Sequence, residues 1–365
     1  MQPANCRQAR RAAVACALLA LPIVAAAQLR EQVVFPLEGV SVAFENDMLS
    51  GRNATDRWYT NGVQFAGSYK PGREPEIVKP ASDWARRWLW PIGCETVDCE
   101  LRVTAALGQS MYSPSDITAS EWLPHDRPWA AWLYAGVGLS SFAGNRHQMV
   151  GLKLGPTGPA ALGEPVQSFV HEYISHSPEP QGWAHQLRPR LGVQLSYLST
   201  HRFRLFERFG WQASWGGTLG NLRTLARGGL ALTWSADARR ATGELPGGLD
   251  EGEFFVPDHP PDRYNDGSLE SALRRTVLYV HAQASFIAYN AFLQGLTYAG
   301  RPQIELRRAV ATTTFGVSVP FGPRGRHRVG LAWKRRSPEF YVEGSDARDA
   351  WQRWGVVTYS WAFGT

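Results

Sequence analysis

The stretch Phe44-Glu45-Asn46-Asp47 closes one run in which apolar and polar residues alternate, and Tyr59-Thr60-Asn61-Gly62 opens a second. The second run keeps its period through Val63, Phe65 and Tyr69. Alternation with a period of two is typical of a β-strand that has one apolar and one polar face. The two runs therefore predict a β-hairpin. Its connection, rich in Asn, Asp, Thr and Arg, is either an ordinary exposed loop or part of a site.

The N-terminal residues have the organisation of a secretory signal peptide. Three arginines within residues 7–11 precede the apolar run 12–24, and residues 25–27 are all alanine. A basic start, a short apolar run and a small-residue cleavage site are the three parts of such a signal. We expect residues 1–27 to be removed during export and residues 28–365 to form one domain.

The exported part is nearly neutral. Removing the three signal-peptide arginines from the 38 Lys and Arg leaves 35, against 32 Asp and Glu, so the formal net charge falls from +6 to +3. No stripe of Lys or Arg remains, which argues against nucleic acid as a partner.

The composition predicts an exported β-barrel rather than a bundle of membrane helices. The chain has 15 Trp, 12 Tyr and 36 Gly, and its uncharged run 128–144 is interrupted by Gly and Ser and is too short to cross a membrane as a helix. An aromatic-rich, strongly alternating, exported chain is typical of bacterial outer-membrane barrels. A secreted soluble β-sandwich or barrel is the main alternative at this point.

Twelve runs of about ten residues alternate or are rich in β-forming residues. They are 38–47, 58–69, 101–110, 129–142, 146–155, 187–199, 203–215, 227–236, 275–287, 303–320, 326–336 and 353–363. An even count suits a transmembrane antiparallel up-and-down β-barrel, whose closure leaves no unpaired strand edge in the lipid. We expect a monomer of this class in the outer membrane.

Strand counting also predicts on which side each connection lies. If the N-terminus is periplasmic, the connections after odd strands are extracellular; these are 48–57, 111–128, 156–186, 216–226, 288–302 and 337–352. We expect tight periplasmic turns at 143–145, 200–202 and 322–325, and longer periplasmic insertions at 70–100 and 237–274. The first insertion contains a helix candidate at 84–90 and also Cys94 and Cys99, which we expect to form a disulfide in an oxidising compartment.

The third extracellular connection contains a short helix, predicted over 164–175. Pro165 lies in its first turn, and an apolar stripe follows at the spacing of a helix face. Gln167 and His171 are four residues apart and share another side of the helix. The pair can therefore face the barrel rim while the apolar stripe packs or meets lipid.

These residue types indicate one kind of hydrolytic chemistry. A neutral histidine such as His171 can take a proton from water, and the oxygens of Asn46 and Asp47 are hard ligands that suit Ca²⁺. A bound Ca²⁺ can polarise an ester carbonyl and stabilise the oxyanion. The nearby sequence His171-Glu172-Tyr173-Ile174-Ser175-His176 is one residue too long for the zinc motif H-E-x-x-H, which argues against a metalloprotease.

Several stretches carry a family resemblance. Two lie in the first hairpin, Glu45-Asn46-Asp47 and Thr55-Asp56-Arg57-Trp58-Tyr59-Thr60-Asn61-Gly62; the others are Gln109-Ser110-Met111-Tyr112-Ser113-Pro114-Ser115, Asp126-Arg127-Pro128, the pair Gln167 and His171, and Gly217-Thr218-Leu219-Gly220-Asn221. In this order, over essentially the whole exported chain, they resemble the outer-membrane lipid A 3′-O-deacylases.

The resemblance implies a Ca²⁺-dependent ester hydrolase that removes the 3′-linked acyl or acyloxyacyl chain from lipid A of lipopolysaccharide in the outer leaflet. It implies that His171 is the general base and that Asn46 orients it. Asp47 and Thr60 serve the calcium and oxyanion region, with Asn46 as a second candidate metal ligand, and Gln167 lines the same cleft. The chain departs from the family pattern at Ser177, where a Glu is expected; Glu172 or Glu179 could substitute.

Two other functions stay open on the sequence. The barrel could have lost catalysis and act as a structural or lipid-binding protein. It could also be a phospholipase-type esterase, which would need a serine nucleophile beside a histidine; the sequence does not single one out. A pore is disfavoured because inward side chains can largely fill a barrel of twelve strands.

Overall fold

A computed structural model of the chain describes residues 36–50, 56–70, 72–76, 78–80, 83, 99–241, 245, 265–341 and 351–363. Its strands are β1 (Leu37–Asn46), β2 (Trp58–Tyr69), β3 (Cys99–Ser113), β4 (Ala130–Ala143), β5 (Arg146–Pro156), β6 (Leu191–Arg204), β7 (Phe209–Gly220), β8 (Arg223–Ser235), β9 (Val277–Asn290), β10 (Ala309–Phe321), β11 (His327–Arg336) and β12 (Gln352–Ala362). Each pairs antiparallel with its neighbours, and β1 pairs with β12 to close the barrel. The predicted twelve-stranded up-and-down barrel is confirmed.

The strands expose apolar side chains on the outer wall because they alternate as the sequence predicts. In β6, Leu191, Val193 and Leu195 are exposed, whereas the alternate residues Gln194 and Ser196 are buried. An apolar outer face and a polar inner face are what a barrel wall in lipid requires. Within the part of the chain that the structure describes, no helix is long and apolar enough to span a membrane.

Aromatic rings and paired charges occupy the barrel interior. Tyr112 stacks on Phe292 with 4.5 Å between ring centroids. The buried carboxylate of Glu45 accepts hydrogen bonds from Tyr59 Oη at 2.7 Å and from Lys334 Nζ at 3.1 Å. Buried charges persist only when they are paired and hydrogen-bonded.

Five helical segments lie in the connections at the ends of the barrel. The predicted extracellular helix is present as α1 (Gly163–Val170), and a turn of π-helix continues it over His171–Ser175. Two shorter helices are α2 (Leu269–Arg274) in the β8–β9 connection and α3 (Ala291–Gln294) after β9. A 3₁₀ turn, Asp47–Ser50, follows β1 directly. We call the end of the barrel that carries α1 and this turn the outer rim.

Two connections differ from the sequence prediction. The predicted turn at 200–202 is wrong, because these residues continue β6, and the chain turns at residues 205–208 instead. The predicted extracellular segment 216–226 reduces to the two residues 221–222 between β7 and β8. Gly216 belongs to β7 because the strands approach closely there: a Cβ on it would lie 2.1 Å from the carbonyl oxygen of Tyr197. Strand contact, not turn formation, requires this glycine.

Some predictions fall wholly or partly outside the described residues. Cys99, at the start of β3, is disulfide-bonded. Its predicted partner Cys94, the helix candidate at 84–90 and the signal peptide over residues 1–27 lie in segments that are not described.

Candidate active site

The outer rim brings together polar side chains from three separate parts of the chain. Asp47 follows β1, Asp56 precedes β2, and His171 lies at the junction of α1 and the π-helical turn. Their exposed fractions are 4%, 5% and 3%. Three buried titratable groups need close polar partners, because burial without them is costly.

His171 has a close contact at each ring nitrogen. Its Nε2 lies 2.5 Å from Oδ2 of Asp56, and its Nδ1 lies 2.5 Å from the backbone carbonyl oxygen of Pro178. A carbonyl oxygen can only accept, so Nδ1 carries the proton that it donates to Pro178. This contact orients the ring and directs Nε2 towards the carboxyl group of Asp56.

The carboxyl group of Asp56 is the centre of the cluster. Besides His171, it has hydrogen-bonding contacts with Asp47 and Gln167. Burial raises the pKa of Asp56, and the contacts with His171, Asp47 and Gln167 oppose this effect without cancelling it. Asp47 is held in place by the Arg57 backbone N–H, which donates to its Oδ2 at 3.2 Å.

A chain of neutral groups continues the site into the barrel wall. Thr60 Oγ1 lies 3.0 Å from the Asp56 carbonyl oxygen, to which it can donate, and 2.8 Å from Ser113 Oγ. Gln167 Nε2 donates to Ser113 Oγ at 3.4 Å, and Trp183 Nε1 donates to Gln167 Oε1 at 3.0 Å. The indole therefore fixes which end of the Gln167 amide faces the site.

The backbone beside Asp56 is strained. Asp56 has φ 47° and Trp58 has φ 70°, and a bulky residue such as Trp rarely adopts a positive φ. The Trp58 indole donates to Asp126 Oδ1 at 3.0 Å, and its ring packs against Phe340 with 5.2 Å between centroids. Such conformations persist only where the surroundings enforce them, and they occur preferentially at functional sites.

The structure brings together four of the five residues that the sequence singled out. Asp47 and Gln167 contact Asp56, as does His171, and Thr60 is bonded to its backbone. The fifth, Asn46, uses its Oδ1 to accept the Met48 backbone N–H at 2.7 Å, which stabilises the turn that carries Asp47.

Sequence reasoning missed two residues of the cluster. Asp56 lies within the stretch 55–62 and Ser113 within 109–115. Both stretches carry the family resemblance, but neither residue was assigned a role. The sequence did contain a signal for Asp56: it is an aspartate at the end of the polar connection 48–57, just before β2 begins at the outer rim.

The cluster offers carboxylate oxygens as ligands for a cation, but it does not provide a complete ligand set. The described residues contain no group of three or more His, Cys, Asp and Glu side chains that could hold a metal ion. Glu172 and Glu179, which could have replaced the family Glu, are both exposed. Two carboxyl groups in contact, Asp47 and Asp56, suit a hard cation placed between them. Ca²⁺ takes about six to eight oxygens, so water and substrate would supply the others.

The fold and the site define the class: an outer-membrane β-barrel with a buried His–carboxylate cluster at its outer rim. A family model described as outer membrane protein LpxR matches residues 13–363, and the chain belongs to this family. The resemblance inferred from the sequence and the outer-membrane location are thereby confirmed.

Two solved structures are similar to the chain to different degrees. LpxR from Salmonella typhimurium is 16% identical, with a TM-score of 0.64 over 89% of this chain and 100% of that one. The β-domain of the Bordetella autotransporter BrkA is 10% identical, with a TM-score of 0.43 over 90% and 100%. At these identities the similarity concerns the fold alone. A search of curated protein sequences finds no match.

Proposed function

We propose that this protein is a lipid A 3′-O-deacylase that hydrolyses the ester-linked 3′ acyl or acyloxyacyl chain in the outer leaflet. The observation that carries the proposal is the buried contact between His171 and Asp56 at the outer rim of an LpxR-family barrel. We propose a monomer, because the closed barrel leaves no strand edge for a partner.

His171 is the general base in this proposal. Its Nδ1–H is fixed on the Pro178 carbonyl, so Nε2 is the nitrogen that takes the proton from water. The water oxygen then attacks the ester carbonyl, the bond to the sugar oxygen breaks, and that oxygen leaves as the alcohol with the proton that His171 had accepted. Nε2 faces Asp56 at 2.5 Å, so water must enter between them. Asp47 and Gln167 already contact the Asp56 carboxyl group and can retain it when it moves aside.

Asp56 has a second role once the proton has moved. A carboxylate beside the imidazolium stabilises the positive charge that His171 acquires. Asp56 is therefore a positioning and charge-stabilising group, and His171 is the group that meets the water.

The proposal also assigns calcium to this cluster. We propose that Asp47 holds Ca²⁺ together with Asp56, with Asn46 at the end of β1 as a further candidate ligand; the ion would supply positive charge for the oxyanion.

The acyl chains of the substrate have an apolar surface beside the site. Phe169, Tyr173 and Ile174 project from α1 and the π-helical turn and are 48%, 52% and 60% exposed. His171 on the same segment is buried. We propose that they meet the acyl chains next to the scissile ester.

The test is the mass spectrum of lipid A from cells that produce the correctly inserted protein in calcium-containing medium. We expect loss of the 3′ chain with the unaltered protein and no loss with His171→Ala. His185→Ala, which changes a half-buried histidine in the same connection, is the matched control and should leave the reaction intact. An unchanged spectrum with the unaltered protein would instead support a barrel without catalysis. If Ser113→Ala abolished loss of the 3′ chain while His171→Ala remained active, the result would support a serine esterase.

A further inference from the structure

The outer wall has an apolar groove on the four strands β6 to β9, close to the outer rim. Its cavity volume is about 430 Å³, and its lining includes Leu195, Leu219 and Phe286. This volume lies within the roughly 300–1,000 Å³ that is usual for ligand clefts. None of these residues belongs to the candidate active site.

Cross-strand pairing explains the groove. One row of outward positions runs from Tyr197 on β6 to Gly217 on β7, Ala226 on β8 and Phe286 on β9. Two small residues therefore lie between two aromatic rings. The next outward pair towards the rim, Leu195 and Leu219, walls the groove on that side. Gly217 and Ala226 form the floor of the groove. Because glycine has no side chain and alanine only a methyl group, the floor is recessed between the two rings, and a linear apolar chain fits along it.

An arginine contacts the rim end of the groove, and further arginines lie nearby in the sequence. Arg308 precedes β10, and its guanidinium donates to the carbonyl oxygen of Ala288, a residue that lines the groove, at 3.2 Å. Arg190 immediately precedes β6 on the other side. The β9–β10 connection, residues 291–308, adds Arg301 and Arg307 and contains one acidic residue, Glu305. In the described part of the chain, neither Arg190 nor Arg308 forms an ion pair.

An apolar groove with the exposed guanidinium group of Arg308 at its rim end is complementary to a lipid with a phosphate at the membrane surface. Arginine binds phosphate with paired, charge-assisted hydrogen bonds, and basic sites beside membrane-embedded surfaces bind anionic lipid head groups. We infer that this groove binds a second, non-substrate lipid A molecule, with one acyl chain along Gly217 and Ala226 and a phosphate at Arg308. The lipid held there accompanies the barrel in the outer leaflet and is not the molecule that His171 attacks.

Native mass spectrometry of the exported protein in detergent tests this inference. The parent is the His171→Ala variant, so that lipid A is bound and not consumed. It is titrated with lipid A, with lipid A freed of phosphate, and with phosphatidylethanolamine. We expect Ala226→Leu and Arg308→Gln each to weaken binding of one lipid A about tenfold, since the first fills the groove and the second removes a charged hydrogen-bond donor. Phosphate-free lipid A should bind the parent as weakly as Arg308→Gln binds lipid A.

Matched controls are Ala282→Leu, at an exposed position lower on β9, and Arg353→Gln, at an exposed arginine on β12. Both should bind lipid A like the parent. Equal binding by Ala226→Leu and the parent would overturn the inference, as would phosphatidylethanolamine binding as tightly as lipid A. The same substitutions are also made with His171 intact, where deacylation should be unchanged. Loss of deacylation in Ala226→Leu would mean that the groove belongs to the substrate site, which also overturns it. Binding can be scored even if the protein proves inactive.

Discussion

Replacing Asp56 by Asn should separate catalysis from stability. Asn has nearly the same size as Asp, so the side chain can still contact Asp47 and Gln167. The substitution removes the carboxyl oxygen that can carry a charge 2.5 Å from His171 Nε2. A hydrogen bond to a charged group contributes about 1.5–3 kcal/mol. Since about 1.4 kcal/mol corresponds to a factor of ten in rate, we expect kcat to fall by about 10- to 100-fold.

The same change should not weaken the fold. Burial raises the pKa of Asp56 above 3.8, which means that the folded protein disfavours its ionised form. A carboxyl group of this kind lowers stability as the pH rises from its unfolded pKa through its folded pKa, and the loss persists at neutral pH. Asn does not ionise, so the Tm of Asp56→Asn at pH 7 should equal or exceed that of the unaltered protein.

The assays are the rate of acyl release from lipid A in mixed micelles and thermal unfolding in the same detergent. Asp116→Asn is the control, because Asp116 is an exposed aspartate on the same outer side of the barrel. A variant that loses activity and also unfolds at lower temperature would refute the reasoning, since Asp56 would then be a structural residue. Full activity with unchanged stability would remove it from the mechanism.

Four further outcomes are expected. Ser113→Ala should lower kcat less than about tenfold, because it loses neutral hydrogen bonds only; abolished acyl release would make Ser113 a nucleophile. Changing Phe169, Tyr173 and Ile174 together to Ser should raise KM for micellar lipid A with kcat and Tm little changed; unaltered KM would exclude an acyl contact. Asp237 has its pKa lowered to about 2, first through the side-chain hydrogen bond from Arg239, so the Tm advantage of the unaltered protein over Asp237→Asn should disappear as the pH falls from about 4 to 2; an advantage independent of pH would contradict this. Chelation should stop acyl release and added Ca²⁺ should restore it, and Asp47→Asn should need more Ca²⁺; full activity in chelator would exclude the metal.

The barrel was predictable because period-two alternation is local and repeats in every strand. It was less predictable where composition and geometry compete. The polar residues 200–202 are of types that are common in turns. However, Phe203 stacks on Trp211 of β7 with 4.5 Å between ring centroids, and β6 continues through these residues to Arg204. Strand counting assigned 216–226 to a connection, whereas residues 216–220 belong to β7 and their glycines allow the close approach of neighbouring strands.

The site was predictable in part for a similar reason. Gln167 and His171 share a helix face by spacing alone, but no spacing indicates that Asp56 meets a histidine 115 positions further along the chain. That contact depends on the positive φ of Asp56 and on the π-helical turn that begins at His171. Neither conformation is specified by residue type, because both are imposed by the packed rim.

The seam between the first and last strands also supports the candidate active site. Asp47 stands on the turn that follows β1, and this turn rests against β12: a Cβ on Gly355 would lie 2.3 Å from Cβ of Leu49. The preceding Glu45 is held by Lys334 from β11. The turn that carries Asp47 therefore has its supporting surface only when β12 has paired with β1. The position of Asp47 at the outer rim thus depends on closure of the barrel, although Asp47 and β12 are about as far apart in the sequence as two parts of the barrel can be.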